Sequence, residues 1–460
     1  MSALFAVCGG AVLLVWPALL NGYPLVFSDT GPLLEMGLEP SMGWDKPWIY
    51  GPLLVLFHWR TTLWLPLAAQ GLMVSWVLWL SQMVVGVAWA RLHLAVCAAL
   101  AVGSAAPWFT SLLLPDFFAP VAVLCLFILA FGQDRLSRAE LAGVTVLGSV
   151  AIAAHLTHLV VAAACLVVLA LMHFHAGFGR GLGEGNRPRT GQARWRTIGL
   201  PAVPLAAALA MLLLTNAVGN GVLGVSPYGA VFALARLVGD GPGRAYLDRV
   251  CPDPSLRLCA WQGRLSADSD EFMWHPQGPV WAGGFGPTRF APEAARLVPA
   301  IIAAYPLDTL RAAAANTLRQ LFMVRVGDTL VPDHLDIAVL PRLRPYFPVA
   351  EIARYQAALQ PRGLLRGIAA PFWGLHAALL LIGTVGTAGI MLRCWRTDWA
   401  LAGLAALTLA ALLANASATG ALSGPHDRYQ ARIAWLVLLP PMLYAARRET
   451  SAGLMRTRRS

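Results

Sequence analysis

Charge is what this sequence has least of. Only 12% of its 460 residues are Asp, Glu, Lys or Arg, lysine occurs once, at position 46, and 58% of the chain is apolar. So little charge excludes a water-soluble domain or a disordered chain, and the long apolar runs exclude fibres and small secreted disulfide scaffolds. No Gly-rich loop ending in Lys-Ser/Thr is present, so nothing supports a nucleotide-phosphate cradle. No internal repeat relates one half of the chain to the other, unlike transporters assembled from two matching halves. The net charge of +11 does not call for nucleic acid, because the arginines cluster in short loops between apolar runs, where basic charge sets topology.

What remains is an all-α polytopic membrane protein. A helix needs roughly 20 mostly apolar residues to cross ~30 Å of hydrocarbon. About ten such runs are expected, near 3–20, 63–90, 92–112, 116–132, 139–154, 157–174, 199–218, 367–393, 398–416 and 429–446. The polar break His155-Leu-Thr-His158 divides a stretch too long for one span. If the spans alternate, Arg91, Arg135, Arg138, Arg180, Arg187, Arg189, Arg194, Arg196, Arg393, Arg396 and the Arg447–Arg459 tail fall on one side. That side is the cytoplasm by the positive-inside rule, with both termini there and the chain in the inner membrane. The first run lacks a charged leader and a small-residue cleavage site, so it reads as a retained helix.

Three parts follow: an N-terminal transmembrane module, 1–218, with a first outer loop at 21–60; a large, mostly helical extracytoplasmic region, 219–366; and C-terminal helices with a short basic tail, 367–460. Within the outer region, helices are expected at 292–304, 308–324 and 349–359, with Pro306 separating the first two. Segment 180–194, rich in Gly and Arg, reads as a flexible cytoplasmic linker. Cys8, Cys97, Cys125, Cys165 and Cys394 lie in or beside apolar runs and read as small buried hydrophobes. Cys251 and Cys259, eight positions apart in the polar outer region, are expected to form a disulfide.

Ionisable groups are expensive at membrane depth, and those beside the spans converge on the predicted outer boundary. They are Asp29, Asp45, Lys46, Asp116, His155, His158, His426, Asp427 and Arg428. Each has a structural reading as well. Asp29 before Thr-Gly-Pro suits a helix cap, Asp45 with Lys46 a local ion pair, and Asp116 after Pro115 a helix start. The two histidines suit hydrogen-bonded filling at a turn, and Arg428 a snorkelling side chain. Their shared side is what favours a site. His155 and His158, three apart, face one way on a helix and with Asp116 are the candidate ligands for a divalent metal, the only cofactor suggested.

The first loop reads Asn21-Gly-Tyr-Pro-Leu-Val-Phe-Ser-Asp29-Thr, then Gly43-Trp-Asp45-Lys46-Pro47-Trp-Ile-Tyr50, and the last span is preceded by His426-Asp427-Arg428-Tyr429. This arrangement resembles the GT-C superfamily of membrane glycosyltransferases, which includes aminoarabinose transferases and protein O-mannosyltransferases. Asp29 matches that group's acidic residue in the first outer loop, and Lys46-Pro47-Trp-Ile-Tyr50 loosely matches its entry to the next helix. Trp48 stands where relatives have a second proline, and Thr30 where many have a second acidic residue. The resemblance implies a polyprenyl-phosphate sugar donor and inverting transfer at the outer face. Asp29 would be the general base, and Asp45, Lys46, Tyr50, His426, Arg428 and Tyr429 would surround the substrate. Membrane lipids are the other expected partners, and nucleic acid is not one. The alternatives are a transporter or flippase for a lipid or solute, and a non-catalytic scaffold for envelope assembly.

Overall fold

The computed structural model describes residues 2–178 and 198–457. Helices dominate it, and the one β pairing among the described residues is an isolated parallel bridge between Leu25 and Leu112. The expected linker at 180–194, Arg196, Arg458 and Arg459 lie outside the described residues.

Among the described residues, five helices are long and apolar enough to cross a bilayer: Trp64–Val85, Leu156–His175, Leu200–Asn220, Phe372–Cys394 and Trp399–Leu422. A sixth exists only if Pro287–Ala304 and Pro306–Leu321 are counted together, and these are bent by 100° relative to each other. The chain is a multi-pass membrane protein, but the expectation of about ten spans is overturned. Apolar length was a poor proxy for helix length. The first run breaks after Leu14, where Trp16-Pro17 starts a new short helix. The third is a 14-residue helix, Ala90–Gly103, stopped by Ser104 in an extended conformation. The fourth and fifth give helices of 14 and 16 residues, Phe118–Phe131 and Arg138–Ala153. The last is divided into Asp427–Ala434, a 3-10 turn, and Leu439–Thr457.

The two ends of the bundle differ in chemistry. At one, the Arg135 guanidinium donates to the Val84 carbonyl at 2.8 Å, Arg447 pairs with Asp398 at 2.7 Å, and Arg393 donates to the Tyr444 hydroxyl at 2.9 Å. The other ends of these same helices lead to residues 21–64, 116 and 423–430.

The polar region after Asn220 is not one body in packing terms. Residues from Val231 to Ile301 enclose their own core around Leu234, Val238, Phe272 and Phe290, with Trp44 of the first loop against it. Residues from Val326 to Ala369 instead pack into the main core of the bundle. The three helices expected here are Pro287–Ala304, Pro306–Leu321 and Val349–Ala357, joined by others that include Gly229–Asp240, Pro242–Val250 and Ser269–Trp274. Pro306 sits in the first turn of the second helix, where its missing N–H costs nothing. Cys251 and Cys259 form a disulfide, with Cα atoms 5.6 Å apart. Of the remaining cysteines four are buried, and Cys8 is exposed on its helix surface.

The first loop is held from two directions. Leu25 N–H donates to Ser111 O at 3.0 Å and Leu113 N–H to Leu25 O at 2.9 Å, which lays the loop beside the segment leading to Asp116. From the far part of the sequence, buried Gln360 brackets the same loop segment. Its Oε1 accepts from Val26 N–H at 3.1 Å, its Nε2 donates to Val26 O at 2.6 Å and to Thr329 O at 2.9 Å, and its backbone N–H donates to Asn21 Oδ1 at 2.8 Å. Buried Glu351 accepts from the Tyr23 hydroxyl at 2.9 Å, Thr62 at 3.0 Å and Leu63 N–H at 2.9 Å. The loop's two helices, Thr30–Leu38 and Tyr50–His58, meet through Gly37 and Gly51, each of which lies against the other helix's backbone.

His58 ends the second of these helices, buried against Phe347 with ring centroids 5.1 Å apart. Its Nδ1 accepts from Arg60 N–H at 2.9 Å, and its Nε2 has no partner. Burial, followed by the Arg60 charge, pushes its pKa down to about 4. The unfolded chain therefore takes up this proton first, and the stability supplied by neutral His58 is complete above the ordinary histidine pKa and lost as pH falls towards 4. Thermal melts of the detergent-solubilised protein should show that decline, with a slope approaching ~1.4 kcal/mol per pH unit from this group. His58→Phe should flatten it, and an unchanged pH profile in that variant would disprove the assignment.

Candidate functional site

Three segments far apart in sequence meet at the end of the bundle opposite the basic loops. Asp29 immediately precedes the Thr30–Leu38 helix, but its side chain does not cap it. One carboxylate oxygen lies 3.3 Å from Lys46 Nζ and the other 3.2 Å from Arg428 Nη1. Lys46 also pairs with Asp45. Arg428 reaches inward to Asp116 at 3.8 Å, and Arg432, one helical turn further along Asp427–Ala434, approaches the same Asp116 oxygen at 3.2 Å. Arg432 then donates to Thr157 Oγ1 at 2.9 Å and Asn415 Oδ1 at 3.1 Å.

Exposure falls steadily along this chain of charges. The side chains of Asp29, Lys46, Arg428, Asp116 and Arg432 are 28%, 20%, 12%, 3% and 0% exposed. The cluster therefore has a mouth, formed by Asp29 and Lys46, and a closed floor, formed by Asp116 and Arg432. Breaking the floor pair would strand an ion away from water, whereas the mouth pairs can exchange partners with a ligand.

Arg428 is fixed on several sides. Its guanidinium lies 4.7 Å from the Phe27 ring centroid and 4.9 Å from that of Tyr429, and its backbone N–H donates to Asp328 Oδ2 at 2.8 Å. The planar fork is thus presented with little rotamer freedom left to lose. Burial alone would raise the pKa of Asp29, but Lys46 and then Arg428 more than offset it and hold the carboxyl below its usual range. Burial opposes the charge on Lys46 too, and Asp29 with Asp45 overcomes it, leaving the ammonium above its ordinary pKa. For Asp328 burial prevails over the Arg428 backbone and charge, and its pKa is raised.

The other sequence-derived candidates divide around this centre. Tyr50 is buried and donates to Gln70, so its hydroxyl is engaged inside the bundle. Tyr429 lines the cluster through its ring and lies 3.5 Å from Arg428 Nη2. His426 sits at the rim, its Nε2 3.5 Å from Asp270 and its backbone held at both ends by Gln320. Asp427 points away and accepts from Arg325 N–H at 3.0 Å. Of the candidate metal ligands, Asp116 is engaged by the two arginines, His155 Nδ1 contacts Thr157 Oγ1 at 2.8 Å, and His158 Nδ1 contacts Ala151 O at 2.7 Å. Among the described residues no three His, Cys, Asp or Glu side chains are grouped to hold a metal ion.

Sequence reasoning missed Arg432, Asp328, Asn415 and Phe27. Arg432 carried a usable signal, since it stands four residues after Arg428 and so shares its helix face. Asp328 and Asn415 carried none, because only tertiary packing brings them here.

The GT-C resemblance does not survive the fold. Among the described residues, five helices long and apolar enough to span, or six with the bent pair, replace the large multi-span architecture it implied, so the glycosyltransferase assignment with its polyprenyl-phosphate donor is withdrawn. Asp29 keeps its central position but no longer has the reaction that made it a base. No family model, no curated protein and no solved structure matches the chain.

Proposed function

We propose that this membrane protein binds the phosphate of a lipid headgroup at Lys46 and Arg428, with Asp29 as the carboxylate that occupies both cations until the phosphate arrives. The observation that carries this reading is the convergence of the two cations on the two oxygens of one partly exposed carboxylate. A phosphate offers the same fork of oxygens to the same donors. A lipid is the favoured source because Arg432 contacts Thr157 at the start of one candidate span and Arg428 follows the end of another, Trp399–Leu422, and headgroups are expected at span ends. The proposed orientation puts the Arg135, Arg393 and Arg447 end in the cytoplasm of a cell with the chain in its inner membrane, both termini inside and the cluster outside.

This arrangement gives variants of opposite sign. Arg428→Met should weaken binding of dihexanoyl phosphatidylglycerol about tenfold or more, equivalent to ~1.4 kcal/mol. Asp29→Asn should strengthen it, because the competing carboxylate is gone while the cations stay. Titration calorimetry on the purified full chain measures both. Binding unaffected by Arg428→Met would end the proposal.

A further inference from the structure

The charges at the mouth carry information about the headgroup beyond its phosphate. Asp29 and Asp45 face Lys46 and Arg428, two carboxylates against two cations. Below them Asp116 is matched by Arg432. The mouth is therefore already neutral, and with Asp328 on the Arg428 backbone the site as a whole holds no surplus positive charge. A phosphodiester entering alone would displace Asp29 from its cations and leave one uncompensated negative charge beside partly buried side chains, which is costly.

We infer, resting on the phosphate-binding reading above, that the site takes a zwitterionic headgroup in which an ammonium accompanies the phosphate, as in ethanolamine or choline phospholipids. The phosphate takes over Lys46 and Arg428, and the ammonium takes the Asp29 carboxylate they release. Both cations keep an anionic partner, the freed carboxylate gains a cationic one, and the mouth stays neutral. A second feature fits the cationic half. Trp274, at the end of the short helix Ser269–Trp274, is 44% exposed, and its ring centroid lies 5.9 Å from Lys46 Nζ. Its ring is steadied by Trp44 at 5.3 Å, which in turn packs on Phe232 at 5.3 Å and Trp281 at 6.2 Å. A tryptophan face already beside one ammonium, and still open to solvent, suits a second alkylammonium group. Asp270 of the same short helix, 3.5 Å from His426, adds a further carboxylate at the rim.

The test compares dihexanoyl phosphatidylethanolamine, phosphatidylcholine and phosphatidylglycerol on the detergent-solubilised full chain by titration calorimetry. The wild type should favour the two zwitterionic lipids about tenfold over the glycerol lipid. Asp29→Asn should abolish that preference by strengthening phosphatidylglycerol binding and weakening the other two, and Trp274→Leu should weaken the zwitterionic lipids alone. Equal or tighter wild-type binding of phosphatidylglycerol, still sensitive to Arg428→Met, would overturn the zwitterion inference and leave the phosphate reading standing. Binding insensitive to Arg428→Met would overturn both. Ethanolamine favoured over choline would assign the ammonium to hydrogen bonding with Asp29, and the reverse to the Trp274 face; either order supports the inference if both exceed phosphatidylglycerol.

Discussion

Arg432→Met should destabilise the protein by about 3–5 kcal/mol, the usual cost of leaving one member of a buried ion pair behind. Arg432 is fully buried, and its guanidinium contacts Asp116, Thr157 and Asn415. With the guanidinium removed, Asp116 keeps only the longer contact to Arg428, at 3.8 Å. Arg428 would then be drawn inward, away from Asp29, so lipid binding should fall together with the melting temperature. Asp116→Asn in the same background should restore most of the stability, because an amide needs hydrogen bonds but no counter-ion. It should not restore binding fully, since Arg428 would lose its inward anchor. Fluorescence-detected size exclusion after a temperature series, paired with titration calorimetry of phosphatidylethanolamine at a temperature where each variant is folded, separates the two effects in the single and double variants. A wild-type melting profile for Arg432→Met would show that the floor of the cluster does not depend on its buried pair.

Gly31→Ala should be nearly as damaging, although it adds only one methyl. A Cβ at Gly31 would overlap the Ala338 carbonyl, and the nearest obstacle is backbone that cannot rotate away. Overpacking of this kind costs about 1–3 kcal/mol, and more when the backbone must move. The position lies two residues after Asp29, so the displacement passes directly to the carboxylate that Lys46 and Arg428 share. The expected result is a lowered melting temperature with lipid affinity reduced about tenfold or more. Gly22→Ala is the comparison. No atom stands within 4 Å of a Cβ there, so only its left-handed backbone, at φ 80°, is strained. That substitution should cost about 1 kcal/mol and leave binding intact. Equal binding losses in both variants would refute the steric account.

How much of this was legible in the sequence depends on the scale of the feature. Membrane residence followed from apolar content, and the meeting of Asp29, Lys46, Asp116 and Arg428 at one end was foreshadowed by their shared position beside span boundaries. Span number was misread because composition does not register where a helix stops. Pro17 and Ser104 interrupt runs that look continuous by hydropathy, and Phe118–Phe131, almost wholly buried inside the bundle, is apolar because of protein neighbours. The division of the region after Asn220 into two cores was equally invisible, since Gln360 and Glu351 look like ordinary surface polar residues until their partners at Tyr23, Val26 and Leu63 are known. The family resemblance failed for a related reason. A short acidic and Lys-Pro pattern can place residues near a membrane boundary, but it does not specify the helices behind them.

The bracket that Gln360 forms around Val26 has a consequence for biogenesis. Its two halves are separated by 334 positions, a stretch that a ribosome takes on the order of 20–60 s to synthesise at typical elongation rates. For that whole interval the Asp29 segment has left the insertion machinery without the partners that order it. The Asp29 mouth is consequently one of the last features to form, and a nascent chain arrested before Gln360 should be inserted yet unable to retain the proposed ligand.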